Sequence, residues 1–353
     1  MISTKSSQLD ESQLAFLDRF ELGMIQKERV LSGGMFSRPV LLTCDTGEFL
    51  LRTHRFRASE EAFRFQAESI AAATTRGVPC SSVVQTLDGS WSTPLPGGIG
   101  VFALHKYVPG EVVDWITWHQ RCEKDPGFLV SLGKQVARLH NSLAQARPGG
   151  DPDLLDDLPP IRLNRVNLLY KNWQKSMDEI RKSRTSLESE SASRFLLNES
   201  AVDEQWKRLV ASLKKHDIQS VSTQIVHGDI SPVNLVLDES SVCNFIDWDC
   251  VHFGHRIYDA LGDVLNRCPS GHPDFNRFRV DHVASYLSGY SEVIEIPLTQ
   301  QEKDLVPTCC LARQLEDLRQ RMQLVRSLDS AQDQEYSELI GLRIEMMEQI
   351  ELN

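Results

Sequence analysis

The chain has 353 residues, of which 41% are hydrophobic and 25% charged, the balance of a soluble globular protein long enough to build two lobes with separate cores. Its net charge of -11 disfavours a nucleic-acid role, which calls for a basic stripe, and is compatible with a small cationic substrate. The eight cysteines include no C-x-x-C pair, which argues against a zinc site or a disulfide framework. Met1 to Asp10 is polar, without the apolar core of a signal peptide, and no apolar run is long enough to span a bilayer. A cytoplasmic protein without membrane or nucleic-acid partners is therefore expected; oligomeric state is not legible.

In chain order, residues 11–23 form an amphipathic helix candidate through Leu14, Phe16, Leu17, Phe20 and Leu22. Arg29 to Leu31, Val40 to Cys44 and Phe49 to Arg52 read as strands, with Ser32, Gly33 and Gly34 in the first connection and Asp45 to Glu48 in the second. A glycine pair lets backbone N–H groups approach phosphate closely because no Cβ intervenes, although such a pair alone also suits a plain hairpin turn. A helix is expected from Ser59 to Arg76, with Ser59 as cap, Phe63, Ala67, Ile70 and Ala71 as its apolar stripe, and Gly77-Val78-Pro79 as its stop. Trp91 and Gly100 to Leu104 read as hairpin strands. Beyond them the chain is mainly helical: Phe128 to Leu143, residues 163–217 with a polar break at 183–193, then helices from Tyr258, Asp281, Gln300 and Ala331.

The densest chemical signal is His227-Gly228-Asp229, followed by Asn234 and by Ile246-Asp247-Trp248-Asp249. Leu235 to Leu237 and Val242 to Ile246 read as strands joined by a turn at Asp238 to Ser241, a hairpin that would bring Asn234 and Asp247 to one end. Phosphoryl transfer needs one carboxylate to hold the attacking hydroxyl and further oxygen ligands for a cation on the phosphates, and this segment holds all of them.

Val226 to Leu235 resembles the H-G-D-x-x-x-x-N loop of the aminoglycoside phosphotransferase and choline kinase superfamily. Phe245 to Asp249 resembles its I-D-[FW]-x segment, and Arg256 to Leu261 its Y-D-L-A helix start. The likeness spans about residues 20 to 325 and is nearest in flavour to the homoserine-kinase-type and spore-coat-kinase-like branches. It implies an α+β, bilobal protein-kinase-like fold with a small antiparallel sheet N-lobe and a mostly helical C-lobe. The divisions expected are a helical extension over 1–23, a nucleotide-binding N-lobe over 24–108, a catalytic C-lobe over 109–325 and a second helical extension over 326–353.

The resemblance also implies roles. Asp229 is the catalytic base or the group that orients the substrate hydroxyl, and Asn234 and Asp247 hold Mg2+. Ser32, Gly33 and Gly34 face the phosphates. Arg52 stands for the usual phosphate-binding lysine, with His54 and Arg55 as alternatives, and Glu68 is expected to pair with it. Leu104 to Gly110 resembles the interlobe hinge, so backbone groups at Lys106 and Val108 would meet the purine of ATP, with GTP not excluded. Asp249 is open between a second metal contact, a substrate contact and a structural carboxylate. His227 is expected to shape the loop, Asp259 to cap a helix near it, and Trp248 and Tyr258 to pack in the core. The function implied is ATP- and Mg2+-dependent phosphorylation of a small-molecule hydroxyl, with a protein Ser/Thr kinase or a nucleotide-binding pseudokinase as alternatives. Acceptor contacts are open among Asp263, Asp281, Trp248, Tyr258, Arg267 and Arg313.

Overall fold

The computed structural model describes residues 9–31, 39–55, 59–98, 100–152, 163–182, 189–237, 242–262, 279–325 and 330–352. By backbone contacts the chain divides into two compact units whose segments alternate along the sequence. The first comprises residues 1–112, 138–158 and 234–253, the second residues 113–137, 159–233 and 254–353.

The first unit is built on an antiparallel five-stranded sheet of β1 (Ile25–Val30), β2 (Val40–Cys44), β3 (Gly47–His54), β4 (Thr93–Pro94) and β5 (Val101–Lys106), in the order β1-β2-β3-β5-β4. Strand alternation divides its side chains between two faces. On one face Leu42, Phe49, Leu51, Phe102 and Leu104 pack with Phe16, Leu17 and Phe20, contributed by helix α1 (Glu11–Leu17) and the turn after it. That helix is started by a capping box on Asp10, and its apolar residues are part of the sheet's own core. On the other face Val101 and Ala103 pack with Phe63 and Ala67 of α2 (Glu60–Thr75), whose N-cap is Ser59 as expected. The β3–β5 register sets Arg52 opposite Ala103, His54 opposite Val101 and Leu50 opposite His105, so Arg52, His54 and His105 also share the α2 face.

A hairpin of β6 (Leu235–Leu237) and β7 (Val242–Phe245) completes this unit. Leu235 pairs with Phe245, and the Ile246 N–H donates to the Asn234 carbonyl at 3.0 Å, so Asn234 and Asp247 flank one end of the hairpin. The expected turn at Asp238 to Ser241 lies outside the described residues.

The second unit is helical. Its first helix, α3 (Trp115–Lys124), was not anticipated; Asp114 caps it, and Trp118 and Cys122 form its buried i, i+4 stripe. Then come α4 (Pro126–Ala144), which begins in this unit and ends in the first, α5 (Val166–Lys182), α6 (Glu190–Leu197) and α7 (Glu199–Lys215). They are followed by α8 (Arg256–Leu261), α9 (Val280–Val293), α10 (Gln300–Asp304), α11 (Val306–Leu324) and α12 (Ser330–Glu348). Helix α11 is buried nearly all round, and it pairs Arg319 with Glu316 at 2.9 Å, and Asp317 with Arg321 at 2.7 Å and with Arg343 of α12 at 2.9 Å. Helix α12 is further fixed by Asp333, whose carboxylate accepts from the Ser189 hydroxyl and from the backbone N–H of Glu190 and Ser191 at the start of α6. Among the described residues no helix is long and apolar enough to cross a membrane.

Helices α4 and α9 approach backbone to backbone. A Cβ on Gly133 would lie 2.1 Å from the Tyr286 carbonyl, and a Cβ on Gly289 would lie 2.0 Å from the Val130 carbonyl. Both obstacles are main chain, so an alanine must push the helices apart. Gly289→Ala is expected to cost about 1–3 kcal/mol or more through overpacking, although alanine is the better helix former. Thermal unfolding followed by circular dichroism checks this against exposed Ser288→Ala; equal midpoints would contradict the close crossing.

Candidate active site

In the first unit the site residues sit on β3, α2, β5 and the segment after β7. Arg52 projects from β3 onto the α2 face. Its Nη2 donates to Asp247 Oδ1 at 3.0 Å and lies 3.7 Å from Asp249 Oδ2. Both contacts use one nitrogen, which leaves Nη1 and Nε without a partner among the described residues. Asp249 Oδ1 is engaged twice more, with His54 Nδ1 at 2.7 Å and Gln66 Nε2 at 3.1 Å. His54 Nε2 continues to His105 Nε2 at 3.0 Å. A buried polar chain thus links α2, β3 and β5 through one carboxylate, with Phe63 packed against the His54 ring at 4.7 Å.

Burial disfavours the charge on Asp249, but His54, Arg52 and the hydrogen bonds from His54 and Gln66 outweigh it and hold the carboxyl well below its usual range. Burial likewise opposes the Arg52 charge, and Asp247 and Asp249 more than offset it. His105 is driven well below its ordinary value by burial, reinforced by His54 and Arg52, so it stays neutral.

Asp247 adopts φ 58°, a left-handed conformation uncommon for a residue with a side chain, and its side chain is 38% exposed. Asn234 is buried beside it at the hairpin's end. A half-open carboxylate and a carboxamide oxygen are hard donors, the type that Mg2+ prefers while keeping water and phosphate oxygens in the rest of its shell. Among the described residues no three His, Cys, Asp or Glu side chains are arranged as a metal cage, which such a shared shell does not require.

In the second unit, strand Gln224–Val226 leads into the His227-Gly228-Asp229 loop. Asp259 of α8, almost fully buried, receives that loop: Oδ2 accepts the His227 N–H at 3.0 Å and Oδ1 the Gly228 N–H at 2.7 Å. Gly228 has φ 88°, which a β-carbon would oppose, and the Asp229 N–H turns back to His227 Nδ1 at 3.3 Å. Gly262 closes the arrangement, since a Cβ there would meet the Ile230 carbonyl at 2.6 Å. The Asp229 carboxylate therefore rests on a loop pinned on both sides and stays half-buried.

Other expected residues divide as follows. Glu68 does not pair with Arg52: it binds Arg64 Nε at 2.6 Å and the Gly149 N–H at 2.6 Å. At 100° per residue Glu68 lies roughly 150° from the centre of the Phe63, Gln66, Ala67, Ile70 stripe, so the inward polar residue of α2 is Gln66. His54 is enclosed by Asp249, Phe63 and His105, and Arg55 is exposed, which leaves Arg52 as the inward cation of β3. Lys106 ends β5 exposed, its N–H bonded to Ser82 and its carbonyl to the Ser81 hydroxyl, and Val108 follows in a loop. Ser32, Gly33, Gly34, Asp263 and Arg267 lie outside the described residues. Trp248 and Tyr258 are core residues as expected, Arg313 stacks on Tyr258 at 4.0 Å, and Asp281 is tied to Arg279. Gln66, His54 and His105 were not read as one network; the period-2 spacing of Arg52 and His54 was the signal for their shared face.

Asp259→Ala removes both acceptors of the loop amides, each a charge-assisted bond of about 1.5–3 kcal/mol. Amide exchange of the peptide spanning Val226 to Asp229, followed by mass spectrometry, is expected to accelerate at least about tenfold. Unchanged protection would contradict the pinning role.

The model of the "Phosphotransferase enzyme family" matches residues 27–296. A homoserine kinase of Rhodospirillum rubrum is 22% identical over 302 residues, covering 84% of this chain and 80% of its own. Among solved structures, a microcompartment-associated aminopropanol kinase superposes with a TM-score of 0.64 at 15% identity, covering 96% of this chain and 98% of its own. An amicoumacin kinase in complex with AMP-PNP, Ca2+ and Ami reaches 0.61 at 16% identity, covering 96% and 93%. These likenesses show the α+β kinase-like fold, and the family match over most of its length places the chain in the phosphotransferase enzyme family.

Proposed function

We propose that the chain is an ATP- and Mg2+-dependent kinase of a small-molecule hydroxyl, with an amino alcohol as the favoured acceptor class. The observation that carries this reading is the pinned His227-Gly228-Asp229 loop, which holds one half-buried carboxylate in a chain that also carries Asn234 and Asp247. Homoserine and aminopropanol, the compounds named for two of its relatives, are both amino alcohols. The AMP-PNP and Ca2+ named for a third support a nucleoside triphosphate with a divalent cation.

In this reading the Asp229 carboxylate accepts a hydrogen bond from the acceptor hydroxyl, orients its lone pair toward the phosphorus and takes its proton as the P–O bond forms. Asn234 and Asp247 would hold Mg2+, which when bound neutralises phosphate charge. Arg52 offers Nη1 and Nε, which meet no partner among the described residues, to phosphate oxygens, Ser32, Gly33 and Gly34 offer backbone amides, and the backbone near Lys106 and Val108 takes the purine of ATP, with GTP still open. A protein acceptor is disfavoured because α8 starts at Arg256, too soon after Asp247 for a peptide-docking segment. A pseudokinase would have no use for Asp229, Asn234 and Asp247 together.

ADP release in the presence of MgATP, measured across amino alcohols, aminoglycosides, choline analogues and sugars, tests the reading. An acceptor-dependent rate is expected, with amino alcohols fastest. Asp229→Asn should lower it by about 10²–10⁴ while leaving the circular dichroism spectrum unchanged. Near-wild-type turnover of the folded variant, or ADP release indifferent to every acceptor, would overturn it.

A further inference from the structure

Helix α2 presents no acidic side chain to Arg52. Its inward polar residue is the fully buried Gln66, and its glutamate Glu68 is occupied by Arg64 and Gly149. Yet α2 remains connected to Arg52, through a side chain from another part of the chain. Asp249 Oδ1 takes the Gln66 amide and His54, and Asp249 Oδ2 faces the guanidinium. We propose that Asp249 is a positioning residue: it joins α2 to Arg52 and fixes the guanidinium for phosphate, and it does not ligate the metal, which Asp247 and Asn234 hold without it. This assignment rests on the phosphotransferase reading and deepens it.

Three observations separate the two carboxylates of Ile246-Asp247-Trp248-Asp249. The Asp247 side chain is 38% exposed and that of Asp249 11%, so only the first opens toward solvent-borne ligands. Among the described residues Asp247 meets one side chain, through the Arg52 Nη2, whereas Asp249 meets three side chains from two elements. A carboxylate already bonded to His54 and Gln66 through one oxygen and facing a guanidinium with the other has little capacity left for a cation, and moving it would take an acceptor from the buried His54 and Gln66. His54 in turn is held by His105 from β5, so the lower end of the chain is fixed to the sheet. The consequence is geometric: Arg52 stands between a half-open carboxylate, Asp247, and an enclosed one, Asp249, and the enclosed one sets where the guanidinium points.

The test uses the intact chain and two probes: Mn2+ binding in the presence of ADP, read by electron paramagnetic resonance, and MgADP affinity by calorimetry. Asp249→Asn is expected to keep Mn2+ affinity within about twofold of wild type while weakening ADP about tenfold, the loss of one charge-assisted contact. Asp247→Asn should lose Mn2+ by about tenfold or more. Gln66→Leu should reproduce a milder ADP defect, and Glu68→Ala should not. In an Arg52→Ala background Asp249→Asn should have no further effect on ADP, because the two act as one unit. Equal Mn2+ loss in Asp249→Asn and Asp247→Asn would make Asp249 a metal ligand and overturn the assignment, as would strict additivity with Arg52→Ala. If Asp249→Asn does not fold, Gln66→Leu decides alone: unchanged ADP affinity overturns the link. If the wild-type chain binds neither probe, the phosphotransferase reading itself falls; if it binds both and only the variant pattern differs, that reading stands and this assignment does not.

Discussion

A guanidinium buried beside two carboxylates is the constraint on which the first unit depends. Arg52 cannot be left in a sheet-to-helix interface without negative partners, since an unpaired buried charge costs several kcal/mol. The chain meets this with Asp247 and Asp249, both from the short segment after β7. That requirement ties the hairpin to β3, and through Gln66 and His54 it ties both to α2 and β5. The same contacts hold the half-open Asp247 carboxylate in its left-handed backbone conformation, which persists only where surrounding bonds determine it. Structural and chemical demands therefore fall on the same few side chains.

The second unit solves a related problem with a different device. The sharp loop that carries Asp229 has backbone N–H groups turned inward, and these need acceptors. Asp259 supplies both oxygens to His227 and Gly228, and Gly262 lets the end of α8 approach Ile230. The amides of His227 and Gly228 are satisfied by a helix that is itself buried. Elsewhere this unit is held by close packing at Gly133 and Gly289, and by the ion pairs that make the buried charges of α11 tolerable.

Much of this was legible in the sequence, for identifiable reasons. Strands β2 and β3, helix α2 and the hairpin around Asn234 and Asp247 announce themselves by alternation, a serine cap and a glycine stop, all local signals. Family membership followed from the H-G-D-x-x-x-x-N string, which no ordinary loop requires. The expected Arg52–Glu68 pair does not form because helical phase turns Glu68 away from the Phe63, Ala67, Ile70 stripe and puts Gln66 inward instead. Helix α3 was passed over because its signal is short: one aspartate cap and two buried residues, Trp118 and Cys122. The Asp249–His54–His105 chain joins residues far apart in sequence, and only the register of β3 on β5 makes it visible.

The claim at the centre is that Arg52, gripped by carboxylates through one nitrogen, offers its remaining N–H groups to phosphate. Calorimetric titration of MgADP into wild type, Arg52→Lys and Arg52→Ala tests it most directly. Loss of charge-assisted contacts worth about 1.5–3 kcal/mol should weaken binding roughly 10- to 150-fold in Arg52→Ala. Arg52→Lys should fall between the two, since an ammonium keeps the charge but not the planar fork. Affinities that are equal in all three proteins, each folded, would contradict the claim.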